Sequence, residues 1–149
     1  MKKILLSLFL FLGVILTYTP VSAAEINIET EYLENGDYLV TTIAEDTRVK
    51  AAGTKTGTKT SNYYSNGKIM WSVSVKGTFT YNGSSAKCTS SSVSTTCSGT
   101  AWRISSKSSS KSGNKAIGKA TANKYQNGVV IYTKTAVVTL SCSINGTLS

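Results

Sequence analysis

The sequence predicts an all-β protein, a single antiparallel β-sandwich of about seven strands, and three observations carry that expectation. Apolar and polar residues alternate with a period of two, Asn-Gly dipeptides punctuate the alternation, and residues 47–149 show no sustained 3.6-residue apolar period. Proline, which breaks sheet ladders, occurs once, at Pro20. An immunoglobulin-like arrangement would accommodate this number of strands, and a closed small barrel is the alternative architecture.

Residues 1–23 read as an export signal. Lys2 and Lys3 give the basic start, Ile4 to Leu16 the apolar stretch, and Val21-Ser22-Ala23 or Ser22-Ala23-Ala24 the small-residue cleavage pattern. The apolar stretch is shorter than the roughly 20 residues a spanning helix needs. The expectation is a secreted protein, extracellular or cell-wall associated, of single-domain length.

Strands are expected at 37–45, 50–62, 68–81, 84–92, 100–107, 114–125 and 129–143. Residues 24–46 form an acidic segment that belongs to the same domain as the basic body, 47–149. In that segment Ile26 and Ile28 alternate with Asn27 and Glu29, the pattern of an edge strand. Its acids would either pair with the protein's own lysines or mask a basic surface. The strand at 68–81 alternates most clearly, with Trp71, Val73, Val75, Gly77, Phe79 and Tyr81 on one face. The run from Ser105 to Gly113, rich in serine and lysine, reads as a solvated hairpin end.

In 114–125, Ala116, Gly118, Ala120 and Ala122 give one face almost no side-chain volume, so bulky neighbours must lie against it. A three-residue connection through Gln126-Asn127-Gly128 would bring Tyr132, Ala136 and Val138 to that same face.

Five Asn-Gly pairs, beginning at Asn35, Asn66, Asn82, Asn127 and Asn145, supply residues that tolerate the positive φ of tight turns. Export would place Cys88, Cys97 and Cys142 in an oxidising compartment, where one disulfide and one remaining thiol is the simplest arrangement. Cys88–Cys97 would close a loop of about 10 residues and Cys88–Cys142 one of about 55, worth roughly 3 and 4 kcal/mol, a gap too small to choose between them. Strand parity favours Cys88–Cys142. Cys142 continues the inward set Val138 and Leu140, while Ala86 and Cys88 fall opposite Phe79 and Gly77. Cys97 is then the free-thiol candidate.

The stretches Thr78-Phe79-Thr80-Tyr81-Asn82-Gly83, Cys88-Thr89-Ser90, Trp102 with Ser105-Ser106-Lys107, and Thr139-Leu140-Ser141-Cys142 followed by Asn145-Gly146-Thr147-Leu148-Ser149 resemble small secreted β-rich proteins of Gram-positive bacteria. The resemblance spans roughly residues 33–149. It implies that Cys88 and Cys142 are the cysteine pair, and it implies no activity.

All seven acidic residues lie between Glu25 and Asp46, the chain has no histidine, and fourteen lysines and arginines follow Asp46. The body therefore lacks the side chains that most often perform acid–base chemistry or hold metals, so no catalytic residue, metal or cofactor is expected. Ala52-Gly53-Thr54-Lys55-Thr56-Gly57 lacks the spacing of a phosphate loop. Ser105-Ser106-Lys107 and Ser110-Lys111 are the neighbours that a Ser–Lys dyad would need, but such neighbours arise by chance in a chain rich in both.

Lys107, Lys111, Lys115 and Lys119 recur every four residues across an expected hairpin, and Lys50, Lys55 and Lys59 fall on another strand. Lysines without acids nearby in sequence leave a field that attracts polyanions. The partner implied is an anionic cell-envelope or extracellular polymer, or an anionic membrane surface. Aromatic interleaving for base stacking is weak, which argues against nucleic acid as the native partner. A membrane-active or antimicrobial secreted protein is the alternative, as is a structural or adhesive surface protein.

Overall fold

The computed structural model describes residues 28–46 and 53–149. The export-signal residues 1–23, together with Glu25, Ile26, Arg48 and Lys50, lie outside the described residues. Eight strands follow in order: β1 (Ile28–Tyr32), β2 (Tyr38–Glu45), β3 (Thr54–Ser65), β4 (Lys68–Tyr81), β5 (Ala86–Cys97), β6 (Trp102–Ser112), β7 (Lys115–Gln126) and β8 (Val129–Ser141). All seven expected strands are present, and the acidic segment adds the edge strand β1. No helix occurs among the described residues.

The strands form two antiparallel sheets, β1-β2-β3-β4-β5 and β6-β7-β8, packed as a sandwich and not closed into a barrel. Within each sheet every strand pairs with its neighbour in sequence, so each sheet is a meander. An immunoglobulin-like layout would require strands to cross between sheets. Here the chain changes sheet once, between Cys97 and Trp102, because tight turns join every other consecutive pair after β2–β3.

Two Asn-Gly pairs form two-residue hairpins. Asn66-Gly67 has φ of 51° and 71°, and Asn127-Gly128 has 50° and 78°, the left-handed values that match strand twist. Asn82-Gly83 opens a longer loop, because Asn82 Oδ1 accepts the N–H groups of Ser84 and Ser85 at 3.0 and 2.8 Å. Cys88 consequently pairs with Phe79 and not with Gly77. That two-residue displacement keeps it on the inner face. Asn145-Gly146 folds the C-terminal tail back, and Leu148 pairs with Cys142 and enters the core.

The serine- and lysine-rich run is strand where a hairpin end was expected. β6 continues through Ser112, and the turn is Gly113-Asn114. Weak intrinsic preference is overridden there by the full β7 ladder on one side and β5 on the other. Cys88 N–H donates to Gly113 O at 2.8 Å, and Ser109 Oγ donates to Ser91 O at 3.4 Å, which closes the β5–β6 seam.

The core lies between the sheets. β4 contributes Trp71, Val73, Val75 and Phe79, β7 contributes Ala116, Ala120 and Ala122, and β8 contributes Ala136, Val138 and Leu140, all buried. Each large side chain so buried contributes about 1.5–3 kcal/mol relative to exposure. The small face of β7 meets bulk as expected: a Cβ added at Gly118 would stand 2.9 Å from Val75 Cβ, and one at Gly77 would stand 2.8 Å from Ala116 Cβ. Tyr132, Ala136 and Val138 do share the face of Lys124, Ala120 and Gly118. The connection is two residues, not three, and a bulge at Lys124/Tyr125 supplies the missing one-residue shift.

With five strands over three, β1 and β2 extend beyond β8. Glu29, Glu31, Thr41 and Lys59 line the resulting cleft on one side, and Val137 and Val138 of β8 line it on the other.

Gly118→Val should lower the unfolding free energy by about 1–3 kcal/mol through overpacking against Val75 and Val93. Urea unfolding checks this, with the midpoint moving and the slope unchanged.

Candidate functional site

The four lysines of the β6–β7 hairpin do not form one row. Lys107 pairs with Ala120 and Lys111 with Ala116, whereas Lys115 pairs with Ser112 and Lys119 with Ser108. Paired residues share a face, and Ala116 and Ala120 face the core. Lys107 and Lys111 therefore lie on the inward-facing side of the sheet, and Lys115 and Lys119 lie on the outer side. A spacing of four keeps one face only within a single strand. The two-residue turn Gly113-Asn114 exchanges odd and even positions between the strands.

Lys107 and Lys111 escape burial because β6 borders the β5–β6 seam, and Lys111 Nζ donates to Thr89 O at 2.8 Å. Lys115 and Lys119 are exposed on the outer face among serines and threonines. The other expected set is elsewhere: Lys55 is paired with Glu45 at 2.8 Å, and Lys59 lines the open cleft with Glu29 and Glu31. Ser105 Oγ donates to Thr121 O at 3.1 Å, so its hydroxyl is engaged by backbone and not by a lysine.

The acids have separate duties. Asp37 accepts hydrogen bonds from Asn35 Nδ2 at 3.0 Å and from the hydroxyl of buried Tyr63, fastening the β1–β2 turn to β3. Burial, then the Asp37 hydrogen bond, pushes the Tyr63 phenol well above its usual range. Glu45 is ion-paired with Lys55. Glu29, Glu31 and Glu34 are exposed along β1 and its turn, and among the described residues no carboxylate is bonded to Lys107, Lys111, Lys115 or Lys119. Residues 28–46 thus border the open cleft and do not cover the β6–β7 hairpin.

All three cysteines are free thiols. Cys88 and Cys142 are buried with inward side chains, as parity predicts, and they flank one turn: Cys88 N–H donates to Gly113 O, and Cys142 N–H to Asn114 O at 3.1 Å. The expected bond between them is not formed in this structure. The two belong to different sheets, and each sulfur turns to a nearby carbonyl, Cys88 Sγ to Ser90 O at 3.2 Å and Cys142 Sγ to Ser143 O at 3.5 Å. Cys97 is exposed, with Sγ 3.4 Å from Trp102 O. Burial raises all three thiols above their ordinary range, opposed at Cys97 by Arg103 and at Cys88 by a backbone hydrogen bond at Ser90 and by Lys111.

Two outcomes follow. Under native, non-reducing conditions a maleimide should label Cys97 alone, with Cys88 and Cys142 labelled only after unfolding, read by peptide mass spectrometry. The groups raised on folding, Tyr63, Cys88, Cys97 and Cys142, hold protons that the unfolded chain releases. Stability should therefore be full below the unfolded thiol range and fall as pH rises from about 8.5, checked by urea midpoints across alkaline pH.

No family model, curated protein or solved structure matches this chain, so the geometry above is what bears on its function.

Proposed function

We propose that this is a secreted, non-catalytic protein that binds an anionic cell-envelope or extracellular polymer through Lys107, Lys111, Lys115 and Lys119. The observation that carries the reading is that, among the described residues, no carboxylate partners these four lysines, which stand on a hairpin that residues 28–46 do not cover. One exposed lysine–anion contact contributes only about 0–1 kcal/mol. A polymer repeating phosphate or sulfate groups engages several at once, and each later contact forms at the high local concentration set by the first.

The parity exchange narrows the ligand class. Two lysines project on each side of the hairpin, so a ligand that touches all four must bend around the β6 edge. A flexible linear polyanion does so, and a stiff duplex does not. The outer-face neighbours of Lys115 and Lys119, Ser112, Ser108 and Thr121, add hydroxyl donors and offer no base-stacking platform.

The full chain should be retained on a heparin column at low ionic strength and elute near physiological salt, where exposed charges are screened within about 8 Å. Lys107→Gln/Lys111→Gln and Lys115→Gln/Lys119→Gln should each lower the eluting salt, and the fourfold variant should lower it most. Flow-through of the wild-type chain at low salt would end the proposal.

A further inference from the structure

The β7–β8 hairpin carries a second surface of different chemistry. Val129, Val130, Ile131 and Tyr132 are consecutive, and they are 64%, 44%, 52% and 36% exposed. A strand normally buries alternate residues, so exposure of Val129, Val130 and Ile131 together means that neither face is covered at this end of β8. Clustered exposed apolar side chains mark contact surfaces. Tyr132 is held in place by an edge contact with Trp102, ring centroids 6.0 Å apart. Lys124 pairs with Tyr132 across the ladder, Lys134 lies two residues further along the same face, and Arg103 pairs with Asn123. Glu34 faces Tyr132 and Lys134 across a shallow cleft, so cations outnumber acids here.

We infer that this hairpin edge is a docking element for an anionic lipid surface. A rigid protein partner would cover one face of the strand, whereas a fluid acyl boundary covers both. The cations behind the apolar group then meet the headgroups, at about 1 kcal/mol each near an anionic leaflet. The polar apex Gln126-Asn127-Gly128 opposes a perpendicular plunge. The hairpin meets the surface tip-first and tilted, clear of the acidic β1 edge that overhangs β8, so that Val129, Val130 and Ile131 reach the roughly 5–10 Å depth of interfacial elements. Water and headgroup oxygens reach the unpaired β8 backbone at that depth. A second copy is disfavoured by the sheet widths: antiparallel pairing of β8 with β8 would bring both β1–β2 overhangs to the same side, where they collide. This contact does not depend on the polymer reading, because it uses none of Lys107, Lys111, Lys115 or Lys119.

Co-sedimentation of the full chain with phosphatidylglycerol–phosphatidylcholine vesicles and with pure phosphatidylcholine vesicles tests it. Wild-type protein should bind the anionic vesicles more tightly. Val130→Ser/Ile131→Ser should weaken that binding about tenfold or more. Lys124→Gln and Lys134→Gln should each weaken it roughly fivefold. Both tip-serine substitutions are at exposed positions, so unchanged thermal unfolding and unchanged heparin elution should accompany the loss. Equal vesicle binding by wild type and the serine variant would overturn the inference and place any lipid contact elsewhere, residues 4–16 included. So would equal binding to neutral vesicles, or a lipid-free dimer that the serine variant abolishes. Loss of heparin retention alone would strike the polymer reading and leave this one standing.

Discussion

The close approach of β7 to β4 is the constraint on which the rest of the sandwich depends. Gly118 and Ala116 leave no volume between the sheets at the point where Val75 and Gly77 stand opposite. Larger side chains on either layer would hold the sheets apart and open voids beside Val73, Phe79 and Leu140. Small against large lets the layers interdigitate at close-packed density. The same match fixes the facing of β7, and its ladders then fix the register of β6 and β8.

Turn length propagates that constraint to the surface. In a meander each two-residue hairpin exchanges odd and even positions between strands, and each bulge restores them. The bulge at Lys124/Tyr125 returns β8 to the parity that buries Ala136, Val138 and Leu140. No bulge intervenes between Lys107 and Lys119, so the four lysines remain divided between two sides of one hairpin. A regular spacing in the sequence has become a surface that wraps an edge.

Unequal sheet width sets the rest of the surface. Three strands cannot cover five, so the acidic strand β1 borders an open cleft, while on the opposite side Cys88 N–H bonds the Gly113 carbonyl and the Ser109 and Lys111 side chains bond β5 carbonyls. The negative charge of residues 28–46 therefore sits along one edge, partly spent on Glu45–Lys55 and on the Asp37 anchor of Tyr63. Those acids are fastened to their own edge, which makes displacement from the lysine hairpin an unnecessary step.

Much of this was legible in the residues. Alternation at Trp71 to Tyr81, the Asn-Gly turns and the small face of 114–125 each act through contacts a few positions away, so local pattern sufficed for the strands, the two layers and most of the core. Residues 105–112 misled because serine and lysine are poor strand formers, and only their ladder partners hold them extended. The same limit applies to the lysines, whose common spacing said nothing about parity across the turn, and to Cys88 and Cys142, whose inward facing was legible but whose bonding was not. The exposed edge at Val129–Tyr132 reads in sequence as ordinary buried strand. Which residues alternate, where the chain turns and which sign of charge each segment carries follow from residue order alone, because they depend on short-range geometry and composition. Which faces are covered follows from the packing of the two sheets, since coverage depends on how wide each sheet becomes and which edge the other layer fails to reach.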